Sequence, residues 1–268
     1  MATIGAAPQV GALVREWRQR RRLTQLELAL DAGVSARHLS FVETGRSKPG
    51  RDMLLRLGER LELPLRERNR LLLTAGHAPA FPEHLFDAPE LAPIRTALDR
   101  ILTSHEPYPA VVFDRHWNVV SANSAIQPLV ATIDPAVLEP PVSVLRVGLA
   151  LMPSLVNAYD VLDYFRERIA RQFSATADAY LGQLLEGFDS ILPRHGGGVT
   201  SEPDFAQNLG PVRLRAPDGG EWSFFGIFAT FDMPFEVTVS ELAVELLYPA
   251  DRSTAEAFES FARERAQG

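Results

Sequence analysis

The 268-residue chain contains no cysteine and one lysine, Lys48. Without thiols there is no disulfide scaffold, no cysteine nucleophile and no thiolate metal site, and the composition fits a reducing compartment. No apolar run approaches the roughly 20 residues that a membrane-spanning helix needs. The N-terminus, Met-Ala-Thr-Ile-Gly-Ala-Ala-Pro, has no basic residue ahead of an apolar stretch. It reads as a short disordered arm rather than a secretory signal, and a cytoplasmic location is expected. The six histidines (His38, His77, His84, His105, His116 and His195) show no metal-ligand spacing, and no Gly-x-Ser-x-Gly or paired catalytic motif occurs. An enzyme is therefore not expected, and no cofactor or metal is implied. The glycines of Arg194-His-Gly-Gly-Gly198 are not followed by a Lys-Ser/Thr helix start, so this stretch reads as a flexible loop rather than a phosphate cradle.

What is present divides by charge. The chain has a formal net charge of −7, an argument against nucleic acid if spread evenly. Up to Ala78, however, 14 basic residues face 8 acidic ones; beyond it, 13 face 26. A basic head on an acidic body is the balance expected of a DNA-binding unit attached to a body that DNA repels.

The head is built around residues 23–45. Thr24 and Glu27 form a capping box, and Leu26, Ala29 and Leu30 at i, i+3, i+4 predict a buried helix face. Gly33 follows where a left-handed residue closes a helix, and Ser35 caps a second helix with Leu39 and Val42 as its apolar stripe. Gly45 ends it. Two short helices joined by a Gly turn are a helix-turn-helix, whose second helix enters the major groove. With Leu39 and Val42 inward, Ala36, Arg37, Ser40 and Phe41 point outward near the helix N-terminus. Arg37 can donate two parallel bonds to guanine O6 and N7. Phe41 either touches a thymine methyl or packs on a neighbouring helix. His38, on the flank, either reaches phosphate or is a plain surface histidine. Glu43 lies inward, as a structural partner for an arginine of the first helix.

The run Leu-Thr-Gln-x-Glu-Leu-Ala, Ala-Gly-Val-Ser, Leu-Ser, Glu-Thr-Gly-Arg and Lys-Pro, ungapped over residues 23–49, is similar to the phage-repressor-like (XRE) helix-turn-helix family. The resemblance implies a double-stranded DNA operator as partner. It assigns a phosphate contact to Gln25, beside the cap Ser35, and backbone contacts to the loop carrying Arg46, Lys48 and Arg51. Flanking helices over residues 11–22, 53–61 and 65–75 complete a five-helix domain, residues 1–78.

Residues 79–93 carry Pro79, Pro82, Pro89 and Pro93 and read as a stiff joint. The body, residues 94–268, opens with an amphipathic helix (94–104). A hairpin over residues 110–122, turning at 114–117, follows, then a helical middle with helices over 158–173 and 175–191. It ends in three strands (210–215, 221–231, 241–248) and a closing helix (251–266). In the last strand Leu242, Val244, Leu246 and Tyr248 are expected inward, Glu241 and Glu245 outward. Five antiparallel strands with helices on one face are the PAS arrangement, and the fold class is α+β.

The Ala-Gly-His-Ala-Pro joint, Tyr-Pro-Ala-Val-Val, the Arg-x-Trp-x-Val turn, Trp-x-Phe-Phe and Val-Glu-Leu-Leu-Tyr-Pro-Ala-Asp together resemble the MmyB-like transcription regulators. That resemblance covers nearly the whole chain and implies a repressor-like head on a PAS-like ligand-binding body, with a fatty acid as the suggested kind of effector. The stretch 145–157 departs from it, lacking a Pro-Asp-Gly-like turn. The expected lining of such a site is Phe113, Trp117, Val120, Leu162, Phe165, Trp222, Phe224 and Phe228, with Asn123 and Arg166 as anchors for a carboxylate. For most of these residues ordinary core packing is the competing reading. Reading a two-fold operator calls for a homodimer. A body that binds no ligand and serves dimerisation or protein contacts is the alternative.

Overall fold

The computed structural model describes residues 10–191, 210–231 and 235–267; the Arg194–Gly198 stretch and the first eight residues lie outside them. The chain divides into two compact units. The first runs to Glu83 and takes in residues 172–177 and 235–237; the second holds the rest.

The head has five helices: α1 (Val10–Arg20), α2 (Gln25–Asp31), α3 (Ala36–Glu43), α4 (Arg51–Arg60) and α5 (Leu65–Thr74). The capping box forms as the sequence requires. Glu27 N donates to Thr24 Oγ1 at 3.2 Å, and Thr24 N to the Glu27 carboxylate at 2.7 Å. Gly33 (φ 64°) and Gly45 (φ 73°) take the left-handed conformation that closes α2 and α3. The buried face of α2 differs from expectation. Leu28 and Ala29 enter the core, whereas Leu26 and Leu30 are 59% and 70% exposed. Leucines at 26, 28 and 30 surround a two-turn helix, so periodicity alone cannot pick the face; packing of Leu28 with the core that holds Leu39 and Val42 decides it.

Close approach of α1 and α3 rests on Gly11. A Cβ there would lie 2.0 Å from the Val42 carbonyl oxygen and 3.0 Å from the Glu43 Cα, both backbone atoms. Gly11→Ala should therefore force the two helices apart and cost about 1–3 kcal/mol, the usual price of overpacking. A urea melt of the variant that overlays the parent would refute this.

Beyond α5, the joint begins as an extension of the head. The buried Asn69 carboxamide accepts from Ala80 N (2.9 Å) and Phe81 N (3.1 Å) and donates to Phe81 O (2.7 Å).

In the body, a short 3₁₀ turn leads into α6 (Ala92–Ser104), β1 (Ala110–Phe113) and β2 (Val119–Ala122). The turn between the strands is held by Asp114, whose carboxylate accepts from His116 N, Asn118 N and Asn118 Nδ2 at 2.8–3.0 Å. Trp117, in this turn, is held at φ 66° while almost fully buried; for a large side chain this conformation is costly, and burial of the indole offsets it. Then come α7 (Gln127–Val130), α8 (Val144–Leu151), α9 (Ala158–Thr176) and α10 (Ala179–Ile191). The chain reverses at Ala177 (φ 56°), and Asp178 caps α10 through Tyr180 N at 2.9 Å. β3 (Val212–Arg215), β4 (Glu221–Thr230), α11 (Val237–Ser240), β5 (Ala243–Pro249) and α12 (Arg252–Gln267) complete the fold.

The five strands are antiparallel in the order β2-β1-β5-β4-β3. Helices cover both faces, not one. Leu98 and Leu102 of α6 pack on Ala110, Val112, Leu242 and Val244. On the other face Val161 and Phe165 of α9 and Phe258 of α12 pack with Leu214, Trp222 and Phe224. β1 is buried at all four positions, so a single helical layer would leave half of its apolar surface in water. This corrects the expectation for Glu245. It pairs with Val111 and Phe228, which places it on the α9 face of the sheet instead of in solvent.

Candidate nucleic-acid interface and effector site

On α3, Leu39 and Val42 are fully buried while Arg37 and His38 are exposed and Ala36, Ser40 and Phe41 are partly covered. The helix start is fixed by Ser35, whose Oγ accepts from His38 N at 3.1 Å. Its end is fixed by the Phe41 carbonyl, which accepts from Arg46 N (2.8 Å) and Ser47 N (3.1 Å). The Arg37 guanidinium lies 5.4 Å from the centre of the Phe41 ring. The His38 Nε2 is 3.3 Å from Ser47 Oγ, which ties this ring to the loop after the helix. Arg46, Lys48 and Arg51 are exposed beyond α3 and make no ion pair among the described residues.

Behind this surface sits a polar clamp. Arg18 of α1 donates to both Glu43 carboxylate oxygens, at 2.7 and 2.9 Å, and to Leu23 O at 2.8 Å. Gln25 Nε2 adds a bond to Glu43 at 2.8 Å. Burial pushes the Glu43 carboxyl up, but the Arg18 and Gln25 bonds outweigh it and hold the group below the usual carboxylate range. Gln25, expected at phosphate, thus spends one amide hydrogen internally; its second remains for an anion. The structural role expected for Glu43 is the one it fills.

In the body the residues expected to line a ligand site separate into groups. Phe113 stacks on Trp117 (4.9 Å, 13°), and Phe165 and Phe228 meet Trp117 edge-on at 5.6 and 6.5 Å. These four form one aromatic cluster. Trp222 and Phe224 pack on Phe258 of α12 at 5.3 and 5.2 Å, in a second cluster that Phe165 also borders, and Leu162 is buried. Val120 packs with the α6 cluster, on the opposite face of the sheet. Asn123 is no anchor: its amide donates to Leu102 O and Tyr108 O and its carbonyl accepts from Ala110 N, so it pins β1 to α6. Nor is Arg166, which pairs with Asp189 at 2.6 Å.

Three polar residues at the aromatic cluster escaped the sequence reading. The Arg168 guanidinium lies 3.6 Å from the Phe228 ring centre and 5.7 Å from that of Trp117. Tyr164 is one helical turn back, 6.3 Å from Phe228. Glu245 stands across the strand from Phe228. Burial pushes the Glu245 carboxyl up to about 7, against the opposing pull of Arg168. Burial likewise raises the Tyr164 hydroxyl and lowers Arg168. The only sequence signal was spacing: Arg168 falls three residues after Phe165, on the inner face of α9.

Next along the chain from Trp117, Asn118 forms part of the wall of an open-sided pocket of about 380 Å³ between α8 and α10, lined also by Ser143, Leu145, Leu149, Tyr180 and Phe188 among others. It draws on the 145–157 stretch whose sequence departed from expectation.

The model of the family described as MmyB-like transcription regulator ligand binding domain matches residues 94–261, well over half of the chain. The chain belongs to the MmyB-like transcription regulators. A helix-turn-helix family model matches residues 14–68 of the same chain. The uncharacterized HTH-type transcriptional regulator RghRB of Bacillus subtilis (strain 168) is 36% identical over 81 residues, 30% of this chain. The chain spans about 56% of the length of that relative. This MmyB-like chain thus joins a helix-turn-helix unit to a ligand-binding-type domain. Among its described residues no helix is long and apolar enough to cross a membrane, and no group of three or more His, Asp or Glu is placed to hold a metal ion.

Proposed function

We propose that the chain regulates transcription as a homodimer on two-fold operators, in the cytoplasm on the nucleoid, with residues 1–78 reading DNA, 79–93 joining and 94–268 sensing a small apolar, fatty-acid-like effector. The observation that carries the DNA half is the phase of α3. Burial of Leu39 and Val42 turns Ala36, Arg37, Ser40 and Phe41 outward, and the exposed cations of the following loop extend that surface. Gln25, Ser35 and His38 lie at its edge, where helix N-termini favour phosphate.

The roles divide by chemistry. Arg37→Ala should relax sequence preference at one base pair, worth about 1–3 kcal/mol. Lys48→Ala should weaken binding to all sequences alike and flatten its salt dependence by about one counterion. Titrations of matched and mismatched duplexes at several salt concentrations separate the two. Equal loss of specificity in both variants refutes the assignment.

For the sensing half, support comes from the aromatic cluster of Phe113, Trp117, Phe165 and Phe228 and from the adjoining cavity, whose volume lies in the range of small-molecule sites. To regulate, the effector must bind the DNA-competent and incompetent states unequally. A second reading, a ligand-free dimerisation or protein-contact body, is favoured by the mutual packing of those aromatics and by the exposed Phe225, Ile227 and Tyr248. Mass spectrometry of an organic extract of the purified chain decides between them. A co-purified amphiphile, with thermal stabilisation on adding fatty acids, supports the sensor; neither effect supports the second reading.

A further inference from the structure

We infer that Arg37 and Phe41 act as one stacked unit that reads a thymine–guanine step, 5′-TG-3′, in each half-site. The inference rests on the DNA-reading role of α3 proposed above. The two residues are i and i+4 on the outward face, and the guanidinium already lies over the ring at 5.4 Å, within cation–π range. Stacking leaves the in-plane N–H edge of Arg37 free, and that edge makes the paired bonds to guanine O6 and N7. It also removes much of the side-chain freedom that a lone exposed arginine would lose on binding.

The two groups lie 5.4 Å apart, close enough for one outward patch to span neighbouring base pairs, whose rise is about 3.4 Å. In this reading Arg37 and Phe41 meet adjacent bases. Phe41 has no hydrogen bond to offer a base edge, and the apolar feature of the major groove is the thymine methyl. In a 5′-TG-3′ step that methyl stands beside the guanine O6/N7 edge on the same strand. On α3 itself the approach is open: Ala36 and Ser40 are small, and the one acidic residue of α3, Glu43, is held inside by Arg18 and Gln25. The backbone at Phe41 is fixed by the two bonds to its carbonyl. Cytosine methylated at C5 presents the same methyl, so 5-methyl-CG substitutes for TG in this reading, whereas unmodified CG does not.

The test begins with selection from a random duplex library by the full-length chain. Enriched half-sites containing TG are expected. Replacing that thymine by uracil, which removes only the methyl, should weaken binding about fourfold, the worth of one buried methyl group. Changing TG to CG should weaken it similarly, and 5-methylcytosine should restore it. Arg37→Ala should abolish the guanine preference. Phe41→Ala, if folded by circular dichroism, should bind the thymine and uracil duplexes equally. Enriched sites without TG, or equal affinity of the parent chain for thymine and uracil duplexes, overturn the inference while leaving DNA recognition intact. The uracil comparison uses the unaltered chain, so it holds even if Phe41→Ala fails to fold. Failure to enrich any sequence would overturn the DNA-reading role itself and the inference with it.

Discussion

Glu43→Ala is expected to destabilise the head by about 3–5 kcal/mol, because it strands a charged partner that the fold has already desolvated. Arg18 and Glu43 side chains are 11% and 1% exposed, and both carboxylate oxygens are engaged. Removing the carboxylate leaves the guanidinium with Leu23 O alone and frees the Gln25 amide. Since Arg18 lies on α1, Gln25 on α2 and Glu43 on α3, the damage falls on the packing of the reading helix. DNA binding should fall with it, although Glu43 touches no DNA. Hydrogen exchange is the appropriate measurement, because it reports on α1–α3 separately from the body: exchange there should accelerate by about 150-fold or more while the sheet amides are unchanged. Glu43→Gln keeps an acceptor for Arg18 and should lie between parent and alanine variant. The pH dependence has a definite sign. The Glu43 carboxyl is depressed in the folded head, so its contribution is present above the ordinary carboxylate range and is lost as pH falls through the lower folded value. Full protection of α3 in the alanine variant would show the clamp to be ornamental.

Glu245→Gln should have the opposite consequence. The folded-state carboxyl is raised to about 7 from an ordinary 4.5. Between these values the folded body holds a proton that the unfolded chain has released, so stability falls as pH rises from about 4.5 to 7 and then levels off. The full loss is at most about 3.5 kcal/mol at roughly 1.4 kcal/mol per pH unit. Glutamine keeps the shape without the charge. The variant should match the parent near pH 4.5 and exceed it at pH 8, with a melting temperature less dependent on pH in between. Parallel melting curves for the two proteins across that range would sink the idea. Arg168, over the Phe228 ring, supplies through its charge the partial compensation that keeps Glu245 from being raised further.

The head was legible because its signals are local. Thr24, Glu27, Gly33, Ser35 and Gly45 each act within one helical turn, and each does in the structure what its chemistry implies. The inward placing of Glu43 followed from helical phase alone. The α2 face failed for the same locality: three alternating leucines on two turns offer no unique stripe, and only the neighbouring helices break the tie. In the body the strands were legible by alternation, but alternation names two faces without saying what covers each. Glu245 was placed correctly opposite Leu242 and Val244, yet the face it occupies is covered by α9. Arg168 was hidden for the complementary reason, a charged residue inside an amphipathic pattern whose apolar side is wider than its leucines and phenylalanines. Asn123 and Arg166 were chemically suited to anchor a carboxylate, but whether a donor is free depends on tertiary partners that sequence does not display.

The Asn69 carboxamide has a consequence for how such regulators are assembled over evolutionary time. It is buried, and all three of its bonds go to Ala80 and Phe81, past the last residue of α5. A head cut at the helix boundary would keep the asparagine and lose every partner, at a cost of about 1–3 kcal/mol for a buried amide left unsatisfied. The unit that recombination can move intact therefore ends after Phe81, inside the proline-rich stretch. The first residues of the joint travel with the DNA reader as part of its inheritance, whatever body they are attached to.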